Sequence, residues 1–215
     1  MTDFMKLIEI VGTVAFAVSG ALVAIGADLD LFGVVFVSCI TAFGGGILRD
    51  LLLGIHPPVM FMNHHLCILA IAVALTVFII AYFKRKKFQT FRVRVESVNN
   101  IFDAFGLAAF TVTGAETAYA HGFGDYGLLV VAIGMITAVG GGIFRDIIIN
   151  TNPYVFKKHV YALASILGSI LYYACRKANF AEVWAITGSV LLVVTIRLLA
   201  TGYRWSLPKI HIEKH

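Results

Sequence analysis

Ten residues inside an apolar run, "TAFGGGILRD" (Thr41 to Asp50), return 96 positions later as "TAVGGGIFRD" (Thr137 to Asp146). Upstream, "GTVAFAVSGA" (Gly12 to Ala21) returns at an offset of 94 as "GLAAFTVTGA" (Gly106 to Ala115), and downstream "HPPV" (His56 to Val59) lines up with "NPYV" (Asn152 to Val155). One unit is therefore used twice. Each copy holds three apolar segments in the same order. Three is an odd number, so the second copy enters its surroundings from the opposite side, as an inverted pseudo-twofold partner of the first.

Those surroundings are lipid. The 215 residues are 60% hydrophobic and 13% charged, with a mean hydropathy of +0.89, too apolar for a water-facing surface of this size. Segments long enough to cross a hydrocarbon core of about 30 Å recur along the chain. They predict about seven helices, near 8–26, 31–55, 62–83, 98–120, 126–149, 159–176 and 182–203. Stretches such as "LCILAIAVALTVFIIAYF" (Leu66 to Phe83) are apolar on every side, which excludes the alternating pattern of a β-barrel. The fold is thus expected to be all-α and polytopic, with 1–83 and 98–177 as the two repeats. Residues 84–97 are then a basic connection, 178–205 a seventh helix and 206–215 a tail. The phrase "VSGALVA" in the first helix reads like a signal-peptide cleavage region, but its return as "VTGAETA" assigns it to the fold.

Loop charges orient the chain. Eleven basic residues (Lys84, Arg85, Lys86, Lys87, Arg92, Arg94, Lys157, Lys158, Arg204, Lys209 and Lys214) fall on one side, against Lys6, Arg176 and Lys177 on the other. The expectation is an N-terminus outside and a C-terminus in the cytoplasm, in the plasma (inner) membrane of a prokaryote. The net charge of +5 is then a topology signal, and no nucleic-acid motif accompanies it. The "KRKK" cluster fits either a stop signal for insertion or contact with anionic membrane lipids. Cys39, Cys67 and Cys175 lie within predicted spans without metal-ligand spacing. His64 and His65, adjacent and so about 100° apart on a helix, make no two-histidine metal face and are expected at the interface.

A glycine triplet in a membrane helix has two readings. It allows close packing of the small-xxx-small kind, or it breaks the helix, since each glycine costs about 1 kcal/mol against alanine. Duplication and the charges that follow favour the break, at Gly44, Gly45 and Gly46 and again at Gly140, Gly141 and Gly142. The rise per residue puts both triplets near the bilayer midplane, with Arg49, Asp50, Arg145 and Asp146 only about 5–8 Å beyond it. An arginine at that depth costs at least about 3 kcal/mol, so each must meet a partner or water. Because adjacent residues diverge on a helix, the expected pairs cross between repeats, Arg49 to Asp146 and Arg145 to Asp50. Such pairs serve equally as a clamp between repeats or as part of a permeation path. Ser19, Thr41, Thr113 and Thr137 occupy matching places and suggest a wet interior, although such hydroxyls also bond back to their own helix. Asp103 and Glu116 are expected near the helix ends, in reach of the interface. Arg197 is a deeper, second-rank candidate for a pore-facing or pairing charge.

Two three-helix units carrying "GGGILRD" and "GGGIFRD", a seventh helix and an outside N-terminus resemble prokaryotic members of the trimeric intracellular cation (TRIC) channel family. The resemblance spans essentially the whole chain. It implies a homotrimer in which each subunit holds a water-filled pathway between its repeats, through broken second and fifth helices. It also implies passage of monovalent cations, with potassium the usual ion. No selectivity-filter repeat of the TVGYG kind is present, so discrimination between potassium and sodium is expected to be modest, and no cofactor is expected. Animal members carry a basic lipid-linked motif in place of the first Arg-Asp, so phosphoinositide control is not implied here. The residues themselves leave the ion open: carbonyls and hydroxyls around Thr41, Gly44, Thr137 and Gly140 suit a cation, whereas half-helix N-termini and two arginines suit an anion. Inverted repeats with discontinuous helices also mark secondary transporters, and related bacterial sequences resemble a domain family labelled glycine transporter. No HExxH, GxSxG or Cys-His arrangement points to an enzyme.

Overall fold

The computed structural model describes residues 2–84, 92–157, 160–203 and 205. Seven long helices follow one another: α1 Asp3–Gly26, α2 Leu31–Leu52, α3 His64–Phe83, α4 Arg92–Ala118, α5 Gly127–Ile148, α6 Val160–Lys177 and α7 Glu182–Gly202. One-turn helices Val59–Met62 and Tyr154–Lys157 precede α3 and α6, and a π-helical turn, Tyr119–Phe123, ends α4. No strand occurs among the described residues. The α1 start is capped by Thr2, whose side chain accepts from the Met5 N–H, and α2 by Asp30, which accepts from the Gly33 N–H at 2.8 Å. Helix α4 begins six residues before its expected start because "RVRVES" is too polar to register as membrane yet continues the helix. Of the basic connection expected at 84–97, residues 85–91 lie outside the described residues, as does the tail 206–215.

The duplication is visible in the packing. Helix α1 lies against α4 and α2 against α5, while each repeat closes on itself through α1, α2 and α3 or α4, α5 and α6. Helix α7 packs on α6 and α4. Equivalent residues meet reciprocally across the pseudo-twofold. Phe16 sits over Gly106 and its counterpart Phe110 over Gly12, with the two rings 5.2 Å apart. The same left-handed backbone also follows the second helix of each repeat, at Gly54 (φ 72°) and Asn150 (φ 55°), two residue types that adopt it at little cost.

Burial runs inside out relative to a water-soluble protein. Small and hydroxylated residues fill the interior, among them Ala17, Ser19, Ala108, Thr111 and Ser165, each 0% exposed, while Phe32, Phe61, Phe83, Leu128 and Trp184 are largely exposed. Among the described residues five helices, α1, α2, α3, α5 and α7, are long and apolar enough to cross a membrane. Helix α4 carries Asp103 and Glu116 and α6 ends in Arg176 and Lys177, which lowers their mean hydropathy without removing them from the bundle. The chain is an all-α membrane protein with its polar side chains turned inward.

Candidate functional site: paired arginine-aspartate centres

Both glycine triplets lie within unbroken helices. Helices α2 and α5 run as continuous α-helix through Gly44–Gly46 and Gly140–Gly142, which corrects the expectation of a break. The glycines permit contact instead. A Cβ on Gly45 would stand 1.9 Å from the Thr137 carbonyl oxygen, and one on Gly141 would stand 2.0 Å from that of Thr41. Gly44 faces Phe144 and Gly140 faces Leu48 in the same reciprocal manner. Helices α2 and α5 thus cross with their backbones touching, the close-packing reading of the motif. Since both helices run unbroken through the triplets, no freed carbonyls and no half-helix N-terminus arise at the crossing.

One turn beyond the crossing, the arginines pair within their own motif. Arg145 Nε donates to Asp146 Oδ1 at 2.8 Å, and Arg49 Nε to Asp50 Oδ1 at 2.8 Å. The expected pairs between repeats do not form. Adjacent Cα–Cβ directions do diverge, but the long arginine side chain curls back over its neighbour. Each aspartate then uses its second oxygen on the chain beyond its helix: Asp50 Oδ2 accepts from the Val59 N–H at 2.8 Å, and Asp146 Oδ2 from the Tyr154 N–H at 2.7 Å. The Arg-Asp pair therefore joins the crossing to the following one-turn helix in both repeats.

Beyond this shared core the two centres differ. Arg145 is 2% exposed and its NH1 also donates to Ser19 Oγ at 2.8 Å and to Asp103 Oδ1 at 3.0 Å. Ser19 in turn donates to Asn99 Oδ1, and Tyr154 Oη donates to Asn100 Oδ1. Arg197, 1% exposed, lies with NH2 3.8 Å from Asp103 Oδ2 and its guanidinium 4.5 Å from the centre of the Tyr161 ring. This centre is closed. Around Arg49, Glu9 takes the place that Asp103 holds in the second repeat, at the same offset of 94. There the side chains leave a cavity of about 30 Å³ lined by Glu9, Thr13, Arg49, Asp50, Asn63 and Phe110, enough for one or two waters.

The hydroxyls expected to face water divide. Thr41 donates to the Val37 carbonyl, Thr137 to that of Ile133 and Thr113 to that of Phe110, all within their own helices. Ser19 alone of the four joins a charge centre. Asp103 is buried in the second centre, a correction to its expected interfacial place, while Glu116 accepts from the Tyr172 hydroxyl near Arg176. Cys39, Cys67 and Cys175 are half-buried free thiols, and His64 and His65 are exposed at the start of α3. Glu9, Asn99, Asn100, Tyr154 and Tyr161 escaped the sequence reading. The offset linking Glu9 to Asp103 was there to be used; the tyrosines and asparagines lack such a signal.

Fold and site together define an inverted-repeat membrane protein with one buried Arg-Asp centre in each repeat. The family described as glycine transporter matches the chain twice, at residues 6–82 and 100–177. A UPF0126 membrane protein of Vibrio cholerae is 34% identical over 214 residues, covering 99% of this chain and 85% of the relative. A solved TRIC cation channel is 34% identical, with a TM-score of 0.84 over 98% of both chains. A prokaryotic TRIC channel crystallised in 0.5 M KCl is 32% identical, with a TM-score of 0.85 over 96% of this chain and 100% of its own. The chain belongs to the prokaryotic TRIC channel family, whose repeated domain bears the glycine transporter description.

Proposed function

We propose that the protein is a channel for monovalent cations, potassium above all, assembled as a homotrimer in which each subunit conducts between its own repeats. The observation that carries this reading is the neutralisation of each motif arginine by the aspartate beside it, at 2.8 Å in both repeats. Two bare arginines near the midplane would repel cations. Paired, they leave the formal balance to the remaining acids, and Glu9 gives the Arg49 cavity an excess of one negative charge. Continuous α2 and α5 also remove the half-helix N-termini that favoured an anion or a carboxylate substrate.

In this reading residues 1–83 and 98–177 form the two walls, and Thr41, Thr137 and the glycines fix their separation. Residues 178–205 form an accessory helix, the N-terminus lies outside and the C-terminus in the cytoplasm.

The test is single-channel recording of purified protein in planar bilayers under a potassium chloride gradient, followed by glycine uptake into liposomes. Discrete steps reversing near the potassium potential are expected. Electrically silent bilayers with saturable accumulation of labelled glycine would establish a carrier instead.

A further inference from the structure

The repeats are matched in their motifs yet unmatched in charge, and the difference enters from α7, which has no counterpart. The first centre holds one positive group, Arg49, and two acids, Asp50 and Glu9. The second holds Arg145 with Asp146 and Asp103, the exact repeat equivalents, and adds Arg197. Without Arg197 both centres would carry a formal excess of one negative charge. With it the second is neutral.

We propose that Arg197 sets the conductance of the second half of the pathway by cancelling the charge of Asp103. This rests on the channel reading above. Asp103 is held from two sides: Arg145 NH1 donates to Oδ1 at 3.0 Å, and Arg197 NH2 faces Oδ2 at 3.8 Å. The second separation exceeds a hydrogen bond, so Arg197 acts on Asp103 by charge. Arg197 is 1% exposed, and its Nε and NH2, the Asp103 Oδ2 and the Tyr161 hydroxyl have no hydrogen-bond partner among the described residues. A buried arginine with unmet donors is costly wherever it merely fills space. Its position is explained by the carboxylate in front of it and by the Tyr161 ring, whose face lies 4.5 Å from the guanidinium. A cation in the pathway is drawn by the net charge of the first centre and feels no net charge from the second. The pathway is thus electrostatically polar although its backbone is pseudosymmetric.

The experiment compares wild type with Arg197→Gln, a substitution that keeps a donor and much of the volume, in planar bilayers with symmetric potassium chloride. Wild-type steps are expected to pass potassium unequally in the two directions. Arg197→Gln is expected to raise the smaller current by about three- to tenfold, as loss of one charge beside the path implies, and to straighten the current-voltage curve. A conducting wild type with an unchanged variant overturns the assignment of Arg197 and leaves the channel reading intact. A silent wild type overturns both. If the variant does not assemble, the wild type alone decides. Raising salt from about 0.1 to 1 M shortens the screening length from about 10 to 3 Å and should straighten its curve; a curve already linear at low salt overturns the proposal.

Discussion

At the residue scale, the triplets separate glycines that space demands from glycines it does not. Gly45 and Gly141 abut opposing backbone carbonyls, and backbone cannot swing aside as a side chain can. Gly45→Ala or Gly141→Ala is expected to force α2 and α5 apart and to lower stability by about 1–3 kcal/mol or more, read as a fall in melting temperature in detergent. Gly46 has only Arg49 NH2, at 3.9 Å, within reach of an added Cβ. Gly46→Ala should be neutral or stabilising by up to about 1 kcal/mol, and equal damage at both sites would argue against the crossing. The two arginines should also differ. Arg145→Ala takes from Asp146 its arginine and from Asp103 its hydrogen-bonded one in a closed site, an expected cost of about 3–5 kcal/mol. Arg49→Ala beside the water-accessible cavity should cost visibly less in the same unfolding assay.

At the scale of elements, the aspartates are connectors. Asp50 and Asp146 each take one hydrogen bond from an arginine at a helix end and one from the backbone of the next turn. Asp50→Asn places an amide where two donors converge, so the Val59 N–H should lose protection. Hydrogen exchange at Val59 should accelerate while the centre of α2 stays slow, and Asp146→Asn should do the same at Tyr154. A uniform acceleration along α2 would mean that the pair holds the whole helix. Outside the spans, Lys177 Nζ donates to Asp125 Oδ1 at 2.6 Å and holds that carboxyl below its usual pKa. This tie between the α4–α5 loop and the end of α6 is in force above the ordinary carboxylate range. It is lost as pH falls through the lowered value. Asp125 is exposed, so the effect on melting temperature should be small and should fade with added salt.

At the scale of the whole molecule, the two centres differ in space and in formal charge. The cavity at Glu9, Arg49 and Asp50 has room for one or two waters, whereas the Arg145 centre is filled by Asp103, Ser19 and Arg197. Glu9→Gln removes the surplus negative charge at the cavity without removing a hydrogen-bond partner from Arg49. Potassium conductance should fall severalfold at low salt and recover toward wild type at high salt. An unaltered conductance at low salt would place the cavity off the path. The oligomeric state of this variant, measured by light scattering in detergent, should match wild type.

Sequence alone determined the membrane class, the seven-helix count, the duplication and its inversion, because hydropathy and a repeated ten-residue phrase are properties of the chain in order. It also marked Arg49, Asp50, Arg145 and Asp146 as charges needing partners. What the triplets do, and which partners the charges find, were decided by tertiary structure. A glycine weakens a lone helix and lets two helices touch with the same missing atom, so only the opposing carbonyls of Thr137 and Thr41 distinguish the outcomes. An arginine side chain reaches far enough to choose among several acids. Only the packing of α4 and α7 against the second repeat brings Asp103 and Arg197 to Arg145, while Glu9 is left beside an open cavity in the first.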